Sequence, residues 1–161
     1  MKRLVSKLYG QINYSYMQSE RNDHNGAGSY VHSFNRPHMF NLLFGYEFNR
    51  SWALSLKWNY SSGRPRDGFI IHKDVHNNPD YLRYSQEIIS HNTDRTDPVH
   101  ALNIRVDYRY QLGPLGIIVF LDIINAYNND NANLERFVER NGEVVKVGLG
   151  IVPTFGLKCE L

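Results

Sequence analysis

Cysteine is nearly absent: Cys159 is the only one in 161 residues, so no internal disulfide can staple the chain. Long apolar runs are missing too. No stretch approaches the roughly 18 apolar residues that a membrane-spanning helix needs, and the mean hydropathy is −0.49. Those two facts exclude a helical membrane protein but not a barrel, whose strands hide their apolar content by alternation. Neither sign of charge dominates. Lys and Arg number 18 against 16 Asp and Glu, a formal net charge of +2. With no basic run in the chain, nothing points to nucleic acid as a partner. Met1, Lys2 and Arg3 look like the opening of a signal peptide, yet Ser6, Lys7, Gln11 and Asn13 interrupt the place of its apolar core. No targeting segment is expected. The length suffices for one domain with its own core.

Aromatic residues are what the chain has in plenty. Its 11 Tyr, 8 Phe and 2 Trp favour strands over helices. From Phe40 every second residue is large and apolar, through Leu42, Phe44, Tyr46 and Phe48, while Asn41, Gly45 and Glu47 fall on the other face. After Asn49, Arg50 and Ser51 the pattern restarts as Trp52, Leu54, Leu56, Trp58 and Tyr60. A two-residue period broken by so short a connection predicts an antiparallel hairpin.

The same alternation predicts strands over residues 8–17, 101–110, 115–125 and 150–161, beside the hairpin strands 39–48 and 52–61. The expected fold is all-β, an antiparallel up-and-down meander of about six strands. Residues 18–37, 62–100 and 126–148 are rich in Ser, Asn, Asp, Gly and Pro and read as long polar loops, with a short strand expected at 143–147. In strand 115–125 the inner face is less polar than elsewhere, because Ile118 and Phe120 accompany Asp122.

Every charge within these strands falls on one face: Glu47, Lys57, Arg105, Asp107, Arg109, Asp122, Lys158 and Glu160. A barrel in lipid requires that, since Arg or Lys on the lipid face costs about 2–4 kcal/mol at the midplane. A soluble sandwich has the same pattern with the opposite sense. Connections that alternate long and short place all long loops at one end and all tight turns at the other, the asymmetry of outer-membrane barrels. In that reading the C-terminus is periplasmic and the aromatics form two lipid-facing belts. Tyr14, Tyr16, Phe40, Trp58 and Tyr60 make the outer belt; Tyr46, Phe48, Trp52, Tyr108 and Tyr110 make the periplasmic one.

Several segments resemble the C-terminal end of the TonB-dependent receptor family of outer-membrane transporters. They are Tyr60-Ser61-Ser62-Gly63-Arg64-Pro65, residues 102–110, the run from Phe120 through Asp122 and Asn125 to Tyr127 and Asn128, and the ending from Pro153 to Leu161. The resemblance implies a 22-stranded barrel plugged by an N-terminal domain, taking up a scarce nutrient such as a ferric siderophore or cobalamin. It implies outer-membrane lipid, the remainder of the barrel with its plug, and the TonB complex as partners. The nutrient would be met at the extracellular loops. It also implies a barrel-assembly signal at Phe155, Leu157, Cys159 and Leu161, although members typically end in an aromatic residue where this sequence has Leu161. Six strands are fewer than the eight of the smallest such barrels, so the chain reads as the last six strands of a larger one, with Met1 an internal or artificial start.

The same residues admit other readings. A complete small barrel would recruit extra strands from 69–71, 81–89 or 143–149; a soluble sandwich or lipocalin-like binder would turn its apolar face inward. His72, Asp74 and His76 have a spacing that defines no face in a loop, and they read as solvated rather than as a metal site. Ser61 and Ser62 with His72 and Asp74 lack the strand-turn-helix setting of a nucleophile elbow. Asp107 and Asp122 read as lumen charges. No enzyme activity, cofactor or metal is expected.

Overall fold

The computed structural model describes residues 2–5, 7–22, 28–75, 82–131 and 134–160; side chains are described from residue 7 onward, except those of 74, 75, 82 and 134. Among these residues the chain is all strand, turn and loop, with no helix. Seven strands form one antiparallel sheet in the order β1 (Lys2–Val5), β2 (Leu8–Tyr16), β5 (His38–Glu47), β6 (Trp52–Ser61), β9 (Val99–Leu112), β10 (Leu115–Ile124) and β13 (Val152–Glu160). The six long ones match the six read from alternation to within two residues at most boundaries. The short β1, against β2, had no signal in the sequence.

The register explains why alternation sufficed. Tyr46 pairs with Leu8 and with Leu54, Leu54 with Val106, Val106 with Leu121, and Leu121 with Phe155. An apolar row therefore crosses six strands without a break. A slip of one residue at any seam would turn a whole strand over, so the apolar pattern sets the pairing.

Tight turns close one end of the sheet. Asn49 Oδ1 accepts hydrogen bonds from the backbone N–H of Ser51 and Trp52, both at 2.8 Å, an Asx turn between β5 and β6. Between β9 and β10, Gly113 takes φ 60° beside Pro114, a left-handed position glycine occupies without a Cβ penalty. Pro153 stands at the second position of β13, opposite Ile123, where a strand start accommodates proline.

The other end carries the long connections, and here the structure corrects the sequence reading. They contain three two-stranded ribbons: β3 (Glu20–Asn22) with β4 (Ser29–Val31), β7 (Pro65–Val75) with β8 (Leu82–Arg95), and β11 (Leu134–Val138) with β12 (Glu143–Val147). Of the irregular loops expected at 18–37, 62–100 and 126–148, only β12 was anticipated as a strand. β7, β8 and β12 occupy the segments that a complete small barrel would have recruited, but they pair among themselves and do not lengthen the sheet. Both faces of a projecting ribbon meet water, so no apolar face is selected and no two-residue period marks it.

β8 ties the ribbons together. On one side Arg95 donates to the Asn35 carbonyl at 3.1 Å, to Asn35 Oδ1 at 3.0 Å and to the Gly63 carbonyl at 3.0 Å, while Asn92 Nδ2 donates to the Val31 carbonyl at 2.9 Å. On the other, the N–H of Tyr84 donates to the Glu139 carbonyl at 2.7 Å, and Arg66 of β7 pairs with Glu135 of β11 at 2.6 Å. At the foot of β7, a Cβ on Gly63 would lie 1.7 Å from the Thr96 carbonyl oxygen, so only glycine allows the two chains to touch there.

Candidate functional site

The two faces of the sheet differ in chemistry and in burial. On the apolar face lie Ile12, Leu42, Phe44, Leu54, Leu56, Leu102, Ile104, Val106, Leu121, Ile123 and Phe155, and none of them is buried. Ile12 is 66% exposed and Phe155 89%. The sheltered positions lie on the polar face, where Ala53 is 5% exposed and the side chain of Asp107, a carboxylate, is 13% exposed, while Lys57, Arg109, Lys158 and Glu160 of that face meet solvent. A soluble sandwich would bury the reverse set, and no second layer lies on the apolar face among the described residues. No Asp, Glu, Lys or Arg of the six long strands stands on it.

Aromatic residues border this face at both ends. Toward the ribbons, Tyr14, Phe40, Tyr60 and His100 form one row across β2, β5, β6 and β9. Tyr16 lies one step higher, opposite His38, and Trp58 one step lower, opposite Leu42 and Leu102. Phe40 meets Trp58 edge-on at 5.6 Å, and Trp58 stacks on Tyr60 at 6.2 Å. Toward the tight turns, Trp52 lies against Tyr108 at 4.8 Å and Tyr46 against Phe48 at 5.0 Å. Tyr110 continues that border beside Ile117. The ten aromatics named from the sequence thus fall in two groups. Tyr60 and Trp52 are eight residues apart on β6, about 27 Å along an extended strand. Tilting the strand by about 40° leaves roughly 20 Å, close to the ~25 Å apolar band of outer-membrane barrels.

Three further residues belong to the ribbon-side border and were missed. Tyr14 Oη and His38 Nδ1 are 2.9 Å apart. Tyr127 Oη lies 2.6 Å from His100 Nδ1 and accepts from Trp58 Nε1 at 3.3 Å. His38 and His100 share the parity of their strands' apolar faces, a signal the sequence carried. Tyr127 follows β10 in a turn, where no period applies; only the fold brings it to Trp58.

Of the residues expected to carry an assembly signal, Phe155 continues the row of Leu54, Val106 and Leu121, Leu157 joins the row of Trp52, Tyr108 and Val119, and Cys159 stands opposite Ile117. Leu161 lies outside the described residues.

The polar face is divided by height. In its tight-turn half the charges pair: Arg105 with Asp107 at 2.8 Å, Arg109 with Glu47 at 3.8 Å, and Lys158 with Glu160. Phe120, the odd apolar residue of this face, has Arg105 over its ring at 3.9 Å and occupies the space a Cβ on Gly156 would need. Tyr9 similarly lies over Gly45 and shares a 2.9 Å hydrogen bond with Ser55. Asp122 Oδ1 is buried with no hydrogen-bond partner among the described residues. In the ribbon-side half the face is amide-rich, with Gln11, Asn13, Asn41, Asn59 and Asn103 around Lys57.

Among the described side chains, Ser61 and Ser62 are not brought to His72. Ser61 Oγ accepts from Arg36 at 2.8 Å and Ser62 Oγ from the His38 N–H at 3.1 Å, both at the end of β6. His72 is out on β7, 2.7 Å from Glu87. His76 lies outside the described residues, and no side chain of Asp74 is described. Among the described residues no cluster of three metal-ligating side chains occurs. No family model, curated protein or solved structure matches this chain.

Proposed function

We propose that this chain is the C-terminal part of an outer-membrane β-barrel of the TonB-dependent receptor kind, its apolar face against lipid and its polar face toward a lumen through which a nutrient is taken up. One observation carries the reading: among the described residues an uncharged apolar face, bordered by aromatics at both ends, is left uncovered, while Ala53 and the carboxylate of Asp107 on the opposite face are sheltered. Aromatic rings with one polar edge suit the two membrane boundaries, and the long connections all leaving from one end suit the outer surface.

The free edges add a constraint. β1 and β13 run in the same direction, since seven antiparallel strands separate into four of one sense and three of the other. Antiparallel closure therefore needs an odd number of further strands, as a 22-stranded transporter barrel would supply. In lipid each edge must be paired, because every unsatisfied backbone group there costs several kcal/mol. The plug and the TonB complex would be met by parts of the barrel protein other than these strands.

The test is a depth measurement. Spin labels at Leu56, Val106 and Leu157 in the membrane-assembled protein should be quenched by a lipid-soluble agent and spared by a water-soluble one, with Asp107 and Lys158 positions showing the reverse. Labels at the first three sites shielded from acyl chains by packed protein would overturn the reading.

A further inference from the structure

Asn13, Asn41 and Asn59 stand directly opposite one another on β2, β5 and β6, on the polar face in its ribbon-side half. Adjacent strands are about 4.8 Å apart, so three amides line up over roughly 10 Å. They are not used against each other. Asn13 Oδ1 accepts from Gln11 Nε2 at 3.2 Å, whereas Asn41 and Asn59 make no side-chain hydrogen bond among the described residues. Asn41 is exposed and Asn59 half-buried. One step toward the sheet centre the next row runs Gln11, Leu43, Lys57 and Asn103, polar except at Leu43, and Asn103 is held by accepting from the Asn125 N–H at 3.1 Å. No carboxylate of the sheet stands in either row, and the nearest charged pairs lie in the other half of the face.

Each amide offers two donors and an acceptor with two lone pairs. A row of them matches a ligand that presents donors and acceptors together at short intervals, as neighbouring hydroxyl groups do, and the amides carry no charge themselves, leaving Lys57 as the single ammonium in the two rows. We propose that the Asn13-Asn41-Asn59 row, with Gln11, Lys57 and Asn103 beneath it, is a binding track for a neutral, hydroxyl-rich ligand of the carbohydrate class. Lys57 serves as a further hydrogen-bond donor. This rests on the reading of the polar face as a lumen wall, and its place in the ribbon-side half puts the track at the outer entrance.

The experiment uses the complete protein with every strand that closes the barrel, solubilised from membranes in detergent and applied to an array of neutral and acidic glycans. Retention of one or more neutral glycans is expected. The double variant Asn41→Val with Asn59→Val should weaken that retention by about tenfold, for two lost hydrogen bonds of about 1 kcal/mol each with partial compensation by water. Asn41→Gln with Asn59→Gln, which keeps the amides, should weaken it less, and Thr154→Val elsewhere on the same face should leave it unchanged. Binding of acidic glycans alone, binding of none, or neutral-glycan binding indifferent to the valine pair would each overturn the proposal. If Leu56 and Val106 are lipid-exposed in the same preparation and the array result is negative, the track fails while the barrel reading stands; if those sites are protein-buried, both fail.

Discussion

Asn125 holds a left-handed backbone, φ 56°, at the ribbon end of β10, and it is 2% exposed. Asparagine tolerates that conformation better than most residues, and here its side chain gives a reason to keep it. Nδ2 donates to the carbonyls of Asn129 at 2.8 Å and Leu149 at 2.9 Å, and Oδ1 accepts from the Asn129 N–H at 3.0 Å. The residue thus ties together both ends of the connection that carries β11 and β12. Asn125→Ala should cost about 2–4 kcal/mol, combining unsatisfied buried backbone groups with the left-handed penalty. Asn125→Gly should cost about 1 kcal/mol less, since only the strain is relieved. Chemical denaturation midpoints and the rate of tryptic cleavage at Arg136 and Arg140 would measure both. Equal effects of the two substitutions would show that the backbone conformation contributes nothing.

At the scale of elements, two consequences follow from how strands and ribbons are joined. Lys146 of β12 forms an ion pair with Asp97, between β8 and β9. The ammonium beside it, by hydrogen bond and then by charge, holds the Asp97 carboxyl below its usual value, and the carboxylate raises the Lys146 ammonium above its own. A depressed carboxylate contributes above its unfolded value and loses that contribution as pH falls through the folded one. A raised lysine contributes below its unfolded value and loses it as pH rises through the folded one. Attachment of the β11–β12 ribbon should therefore be tightest between those limits and loosen at either extreme. Added salt should weaken it throughout, because the pair is exposed. Distance measurements between labels near residues 97 and 146 across pH 3 to 11 would show a single broad minimum; a flat profile would deny the pair any role. Within the sheet, Leu56→Arg on the apolar face should cost about 2–4 kcal/mol in a bilayer. Thr154→Lys on the polar face should fold at wild-type yield. Heat-modifiable mobility of the membrane-assembled protein distinguishes them, and equal yields would remove the asymmetry of the two faces.

For the whole molecule the governing facts, among the described residues, are one layer, two unpaired edges and an apolar face with nothing over it. An exposed edge recruits other strands, and a contiguous apolar surface of this extent recruits other surfaces. The 161-residue chain produced alone should aggregate in plain buffer and require detergent to disperse. Sedimentation with and without detergent would measure it. A folded monomer in buffer would mean that the apolar face finds cover within the chain itself.

Strand positions and the two chemical faces were legible in the sequence because a two-residue period is a local property: Trp52 through Tyr60 declares its sides without reference to any partner. The aromatic borders followed from the same parity. Other features needed the tertiary structure, because they depend on which residues meet across strands. Phe120 looked misplaced until Gly156 and Arg105 were set around it. Tyr127 gave no sign of joining Trp58 from a turn 69 residues away. The polar connections looked featureless because ribbons wetted on both faces select no alternation, so their pairing and their anchorage to β8 through Arg95, Asn35 and Asn92 were decided only when distant carbonyls and side chains came together.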